Sequence, residues 1–228
     1  MTGSGRFAAR LVVPGDGSAV EDGVIAVADG LITDVYAGPD TQATLLDGVI
    51  LLPGLVNAHT HSHANLPRSL GDRWTLELAL NGNTAGRENL TNDDKYLSAQ
   101  IGAVEMISKG CTACYDLIYE FPVPSVDGIN AVAQGYFDAG MRAVVAPMMA
   151  DGSFYHSVPG LMDALPENLR TEIERKPRLK RWQEGVDVVR RAVHHWPFDR
   201  ERVRLAVAPT IPAHCSDDFL INAATLSR

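Results

Sequence analysis

The sequence is poor in cysteine, lacks long apolar runs and carries no excess of basic charge. Its three cysteines, Cys111, Cys114 and Cys215, are odd in number and follow no framework spacing, which excludes a disulfide scaffold. Cys111-x-x-Cys114 lies in an apolar run that reads as a strand. Residues three apart on a strand face opposite ways, so the two read as ordinary strand residues, not a metal or redox pair. No apolar stretch approaches the ~20 residues needed to span a bilayer, and the start, Met1-Thr2-Gly3-Ser4-Gly5-Arg6, lacks the apolar core of a secretory signal. A cytoplasmic protein with no membrane contact is expected. Twenty Lys and Arg stand against 28 Asp and Glu, a net charge of -8. Nucleic acid is therefore not the expected partner, because phosphate binding needs a basic face.

What is present is a hydrophobic fraction of 46% and a charged fraction of 21% over 228 residues, enough to bury a sizeable core. The most informative stretch is Pro53-Gly54-Leu55-Val56-Asn57-Ala58-His59-Thr60-His61. Residues i and i+2 of a strand share a face, so His59 and His61 can offer two neutral nitrogen ligands to one transition metal.

Residues 1–48 read as short antiparallel strands: Phe7–Val13, Glu21–Val27, Leu31–Val35 and a further piece at Leu45–Leu46. Asp29-Gly30 is a hairpin turn signal. From Val49 to Ala58 the run is almost continuously apolar, as expected of a strand buried on both faces. A polar region from Ser62 to Asn92 follows, with a short helix expected over 76–80. Thr91 and Asp94 then form a capping-box pattern, opening a helix with an apolar face of Leu97, Ile101, Val104 and Ile107 and a stop at Gly110. Strands are predicted at Thr112–Ile118, Arg142–Met148 and Val203–Ala208. Helices are predicted at Ser125–Ala139, over Leu179 to Val193, and after a cap at Ser216. A long irregular excursion to about Arg178 separates the third strand from the third helix.

Repeated strand–helix units imply a parallel sheet with right-handed crossovers. A doubly wound open sheet and a (β/α)8 barrel both satisfy that order. The absence of a glycine-rich phosphate loop after the first strand disfavours the nucleotide-binding open sheet.

Taken together, Val24 to Ile32, Leu52 to His61, Lys109-Gly110-Cys111-Thr112-Ala113-Cys114-Tyr115-Asp116 and Ala208 to Asp218 resemble the amidohydrolase superfamily. The similarity is greatest to its branch of cytosine deaminase-like, S-adenosylhomocysteine deaminase-like and triazine chlorohydrolase-like enzymes. The resemblance implies an α/β fold, part of a (β/α)8 TIM-like barrel of about four βα units over residues 49–228. Residues 1–48 would be strands of a small composite β-sandwich domain. It implies His59 and His61 as metal ligands, one divalent transition metal, zinc first and iron as the alternative, and a small heterocyclic substrate. The implied reaction is hydrolysis of a non-peptide C–N bond by metal-activated water. In that family a third metal histidine and the proton-transfer residues follow later strands, so here they are expected beyond Arg228.

His214, Trp74, His63 and His156 are candidates for substrate contact, since they lie in loops after strand ends where barrel active sites form. Asp116 ends the second strand, and its role stays open between facing the pocket and capping a loop. Two-metal members of the superfamily carry a strand-4 lysine. No lysine occurs after Lys180, which favours the one-metal branch over a two-metal cyclic-amide hydrolase. A truncated homologue without turnover is the other alternative. An unpaired edge at strand 4, leaving Val203, Leu205 and Val207 poorly covered, predicts self-association or a homo-oligomer.

Overall fold

A computed structural model describes residues 3–76, 78, 90–120, 123–175 and 182–228. The helix expected over 76–80 and the start of the helix at Leu179 lie outside the described residues. The chain divides into two compact units, Met1–Leu55 and Val56–Arg228.

The first unit is a four-stranded sheet, β1 (Gly5–Val12), β2 (Val20–Ala28), β3 (Leu31–Ala37) and β4 (Thr44–Leu51), in the order β3-β2-β1-β4. Asp29 and Gly30 both take positive φ, 52° and 78°, which gives the β2–β3 hairpin the primed turn that suits strand twist. Two expectations are corrected here. β4 pairs parallel, not antiparallel, with β1. The strand piece expected at Leu45–Leu46 also continues through Asp47-Gly48 to Leu51. Asp47-Gly48 lies within β4 where the register against β1 shifts between Ala9 and Leu11, and Gly48 at φ 69° supplies the backbone freedom for that bulge.

The apolar run from Val49 is therefore two strands. Val49–Leu51 complete β4, Pro53-Gly54 interrupts, and β5 (Leu55–Thr60) opens the second sheet. β5 is not buried on both faces: Leu55 and Val56 are 60% and 68% exposed. It is an edge strand of its sheet.

The second sheet runs β5-β6-β7-β8, where β6 is Cys111–Ile118, β7 Arg142–Met149 and β8 Val203–Leu205, with β9 (Ala208–Pro209) on β7. β6, β7, β8 and β9 pair parallel. The helices between them are α1 (Asn92–Ser108) and α2 (Val126–Ala139), followed by α3 (Phe154–Ser157), α4 (Leu161–Ala164), α5 (Glu167–Arg175), α6 (Trp182–His194) and α7 (Asp217–Leu226). The excursion before α6 thus contains three short helices that residue periodicity did not reveal. Thr91 and Asp94 close the capping box on α1 in both directions, and Gly140 ends α2 in the left-handed conformation.

α1 turns a different face inward from the one expected. Ser98, Ala99, Gly102 and Ala103 are buried, while Leu97, Ile101, Val104 and Ile107 are exposed. The reason is close helix packing. A Cβ on Gly135 of α2 would stand 2.6 Å from the Tyr96 carbonyl oxygen and 3.0 Å from the Ala99 Cβ, so only small residues fit between the helices. Gly135→Ala is expected to destabilise the fold by about 1–3 kcal/mol, read as a lowered urea midpoint.

The core joins Ile129, Val132 and Tyr136 of α2 to Cys114, Val145 and Val203 of the strands. A second cluster sets Phe219 of α7 against Met149, Val186 and Val189. Strand 4 is also covered better than expected: Val203 is fully buried and Leu205 packs on the core. The unprotected apolar rows lie at the opposite end of the sheet order, on β5, and along α1.

Candidate metal centre

β5 carries His59 and ends at Thr60; His61 follows at once as the residue before a 3-10 turn at Ser62–Ala64. Strand alternation brings the two rings together, with centroids 4.9 Å apart and planes at 84°. Their Nε2 atoms face each other at 3.1 Å. Two zinc–nitrogen bonds of ~2.0–2.1 Å at a tetrahedral angle separate their nitrogens by about 3.3 Å. The pair therefore fits two positions around one divalent transition metal.

The rest of the arrangement decides which ring nitrogen is presented. His61 Nδ1 lies 2.8 Å from the Leu117 carbonyl oxygen. A carbonyl only accepts, so Nδ1 carries the proton and Nε2 keeps the lone pair a metal needs. His63 is held the other way: the Tyr119 backbone N–H donates to its Nδ1 at 3.1 Å. Its Nδ1 lone pair is thus already committed. His63 is buried, with its ring centroid 5.4 Å from that of His61.

The turn itself is fastened from two sides. The Ser62 N–H donates to Asp116 Oδ1 at 2.8 Å, and the Ser98 hydroxyl of α1 donates to the Ser62 carbonyl at 2.6 Å. Asn65 donates to the Ser98 carbonyl at 2.9 Å, and a Cβ on Gly102 would strike the Asn65 amide. Asp116 is fully buried and also accepts from the Tyr136 hydroxyl at 3.0 Å. Beside the turn, Lys95 and Glu120 form a half-buried ion pair at 2.8 Å. Glu120 in turn accepts from the Ser125 N–H and hydroxyl, which orients the start of α2.

Burial pushes the Asp116 carboxyl up from 3.8 to about 6, against the opposing effect of its hydrogen bonds from Ser62 and Tyr136. The folded value is raised, so its contribution to stability is fully present below pH 3.8 and is lost as pH rises through about 6. The cost at neutral pH relative to acid is about 3 kcal/mol. Asp116→Asn removes that titration. Its unfolding free energy minus that of the wild type is expected to rise by about 3 kcal/mol between pH 4 and pH 7; a difference that stays constant would contradict the assignment. The nearby Cys114 thiol is pushed up to about 12, first by burial and then by Asp116, and is unreactive as a nucleophile.

His59, His61 and His63 form one cluster. The other three candidate residues sit in local contacts of their own. Trp74 is exposed and lies over Gly71, whose φ of 82° lets the turn pass under the indole. The exposed His156 has its Nδ1 2.6 Å from Ser153 Oγ. His214 ends a 3-10 turn, and its carbonyl accepts from the Asp151 and Gly152 N–H groups. Burial lowers the pKa of His214. Among the described residues no group of three or more His, Cys, Asp or Glu is arranged to hold a metal.

Sequence reasoning left Asp116 undecided and missed Tyr136, the Leu117 carbonyl and the Tyr119 amide. One signal was legible: Asp116 alternates with Cys114 and Ile118 on the buried face of β6, where a carboxylate is out of place unless hydrogen-bonded.

The sheet and its helices agree with what comparison with known proteins finds. The pattern of the amidohydrolase family matches residues 50–228, and the chain belongs to that family. It is 28% identical over 217 residues to a 5'-deoxyadenosine deaminase of Methanothermobacter thermautotrophicus, covering 93% of this chain and 44% of that protein. It is 32% identical over 220 residues to a 5-methylthioadenosine/S-adenosylhomocysteine deaminase of Syntrophobacter fumaroxidans, covering 92% and 43%. The fold matches an atrazine chlorohydrolase from Arthrobacter aurescens, solved with zinc, at TM-score 0.75 and 20% identity over 96% of this chain and 50% of that one. It also matches guanine deaminase from C. acetobutylicum with bound guanine at TM-score 0.72 and 15% identity, over 99% and 50%. These neighbours are barrel enzymes of which the chain matches half, so the curled parallel sheet is a half-barrel. The chain spans less than half the length of the curated relatives it matches.

Proposed function

We propose that this chain carries the first part of a metal-dependent site that hydrolyses a non-peptide C–N bond, deaminating a small amino-heterocycle of the adenosine type. The observation that carries this reading is the convergence of His59 Nε2 and His61 Nε2 at 3.1 Å, with His61 Nδ1 tied to the Leu117 carbonyl. His59 and His61 would hold the metal, zinc first and iron as the alternative. When bound, such a metal supplies Lewis-acid activation of water at neutral pH. The residues of this chain bring the two imidazoles together, and the Leu117 carbonyl fixes the ring nitrogen that His61 presents. The deaminase names of the relatives support the substrate class, and the cytoplasmic assignment belongs to the same reading. Residues 1–48 are read as strands of a composite β-sandwich, and residues 49–228 as the barrel half.

Ammonia release from 5'-deoxyadenosine, 5'-methylthioadenosine and S-adenosylhomocysteine in the presence of zinc, compared with the His61→Ala variant, tests the proposal. Zinc-dependent release that His61→Ala abolishes supports it. Metal binding without release supports a second reading, a catalytically incomplete homologue.

The exposed apolar rows on β5 and α1 support self-association. Sedimentation velocity is expected to show a dimer or larger species, and a monodisperse monomer would contradict this.

A further inference from the structure

We propose that Asp116 is the positioning residue of the His59–His61 pair, acting through the Ser62 amide and seated by the Tyr136 hydroxyl. The proposal rests on reading the two histidines as metal ligands.

Alternation along β6 puts Asp116 on the same face as Cys114 and Ile118, which pack with Ile129 and Tyr136 of α2 in the core. A carboxylate there is directed at the helix layer. Its bonds run to a backbone amide and a phenol, at 2.8 Å and 3.0 Å. An apolar side chain would suit that face better unless the carboxylate has a task.

The task is visible in the order of contacts. Three points within four residues of β6 and its end grip three successive residues after β5. The Leu117 carbonyl accepts from His61 Nδ1, Asp116 accepts from the Ser62 amide, and the Tyr119 amide donates to His63 Nδ1. Ser62 lies between the two histidines, so seizing its amide fixes the chain direction on both sides. With the amide held, His61 stays within reach of the Leu117 carbonyl and keeps its lone pair on Nε2. A carboxylate accepts two bonds at once and donates none, so it can hold Ser62 while Tyr136 holds it.

The test reads the ring protons of His61 by long-range 1H–15N correlation in the full chain, with zinc affinity measured in parallel. Wild type is expected to show His61 protonated at Nδ1 alone. Asp116→Ala is expected to show both tautomers and to bind zinc about 10–100-fold more weakly, the range for loss of a residue that orients a ligand. Asp116→Asn, which retains an acceptor for Ser62, is expected to restore the single tautomer. Ile129→Val, a core change outside the network, is expected to leave His61 unchanged, which separates positioning from a general loss of packing. A single Nδ1–H tautomer in Asp116→Ala overturns the proposal. Should that variant fail to fold, Tyr136→Phe carries the test: a second His61 tautomer supports the proposal and an unchanged spectrum overturns it. Wild-type protein that binds no zinc defeats the functional reading alone, since the tautomer measurement needs no metal.

Discussion

His61→Ala is expected to lower zinc affinity by at least about 100-fold, and the double variant His59→Ala/His61→Ala to abolish stoichiometric binding. The argument is geometric. The two Nε2 atoms stand 3.1 Å apart, close enough to share one metal. His63 Nδ1 is occupied by a backbone amide. Losing a residue that merely orients a ligand typically costs 10–100-fold, and losing a ligand itself must cost more. Isothermal titration with zinc on wild type and variants reads both losses. Equal affinity in His61→Ala would show that the metal goes elsewhere.

The second large effect concerns stability. Phe219→Ala is expected to cost about 3–5 kcal/mol, a large share of the 5–15 kcal/mol typical of a whole domain. Phe219 is fully buried on α7 and packs against Met149, Val186 and Val189, with its ring centroid 5.5 Å from that of Trp182. It fastens the last helix to the end of β7 and to α6. Gly185 lies so close that a Cβ there would reach 2.6 Å from the Met149 sulfur, so the site has little room to collapse around a cavity. Chemical denaturation should show the loss, and the removal of the aromatic pair should change the near-ultraviolet dichroism of Trp182. The helix cap, in which Ser216 Oγ accepts from the backbone N–H of residue 219, does not depend on the Phe219 side chain, so helix α7 should keep its start.

Much of this was legible in the residues because local chemistry decided it. The Thr91–Asp94 box, the Ser125 and Ser216 caps and the Gly140 stop are short-range devices whose partners lie within a few residues. They mark helix starts and stops wherever they occur. The inward face of α1 was not legible for the opposite reason. Its burial depends on how close α2 approaches, and Gly135 allows an approach that only Ala99 and its small neighbours tolerate. A row of large apolar residues reads as a core face until that distance is known. The run from Val49 misled in the same way: composition registers apolar character, but Pro53-Gly54 splits it between two sheets.

The site divides along the same line. The spacing of His59 and His61 is a two-residue strand rule and needs no tertiary knowledge. Its support does. Asp116 is 54 residues from Ser62 in sequence, and Leu117 is 56 from His61. These contacts exist because β6 ends beside the turn that follows β5. Backbone groups at Leu117 and Tyr119 leave no trace in residue type at all.

Zinc K-edge X-ray absorption on the zinc-loaded chain tests the histidine pair most directly. Two imidazole nitrogens per zinc at about 2.0–2.1 Å, with oxygen completing the shell, is the expected result. A spectrum without imidazole scattering, or fewer than one zinc per chain at saturation, would contradict it.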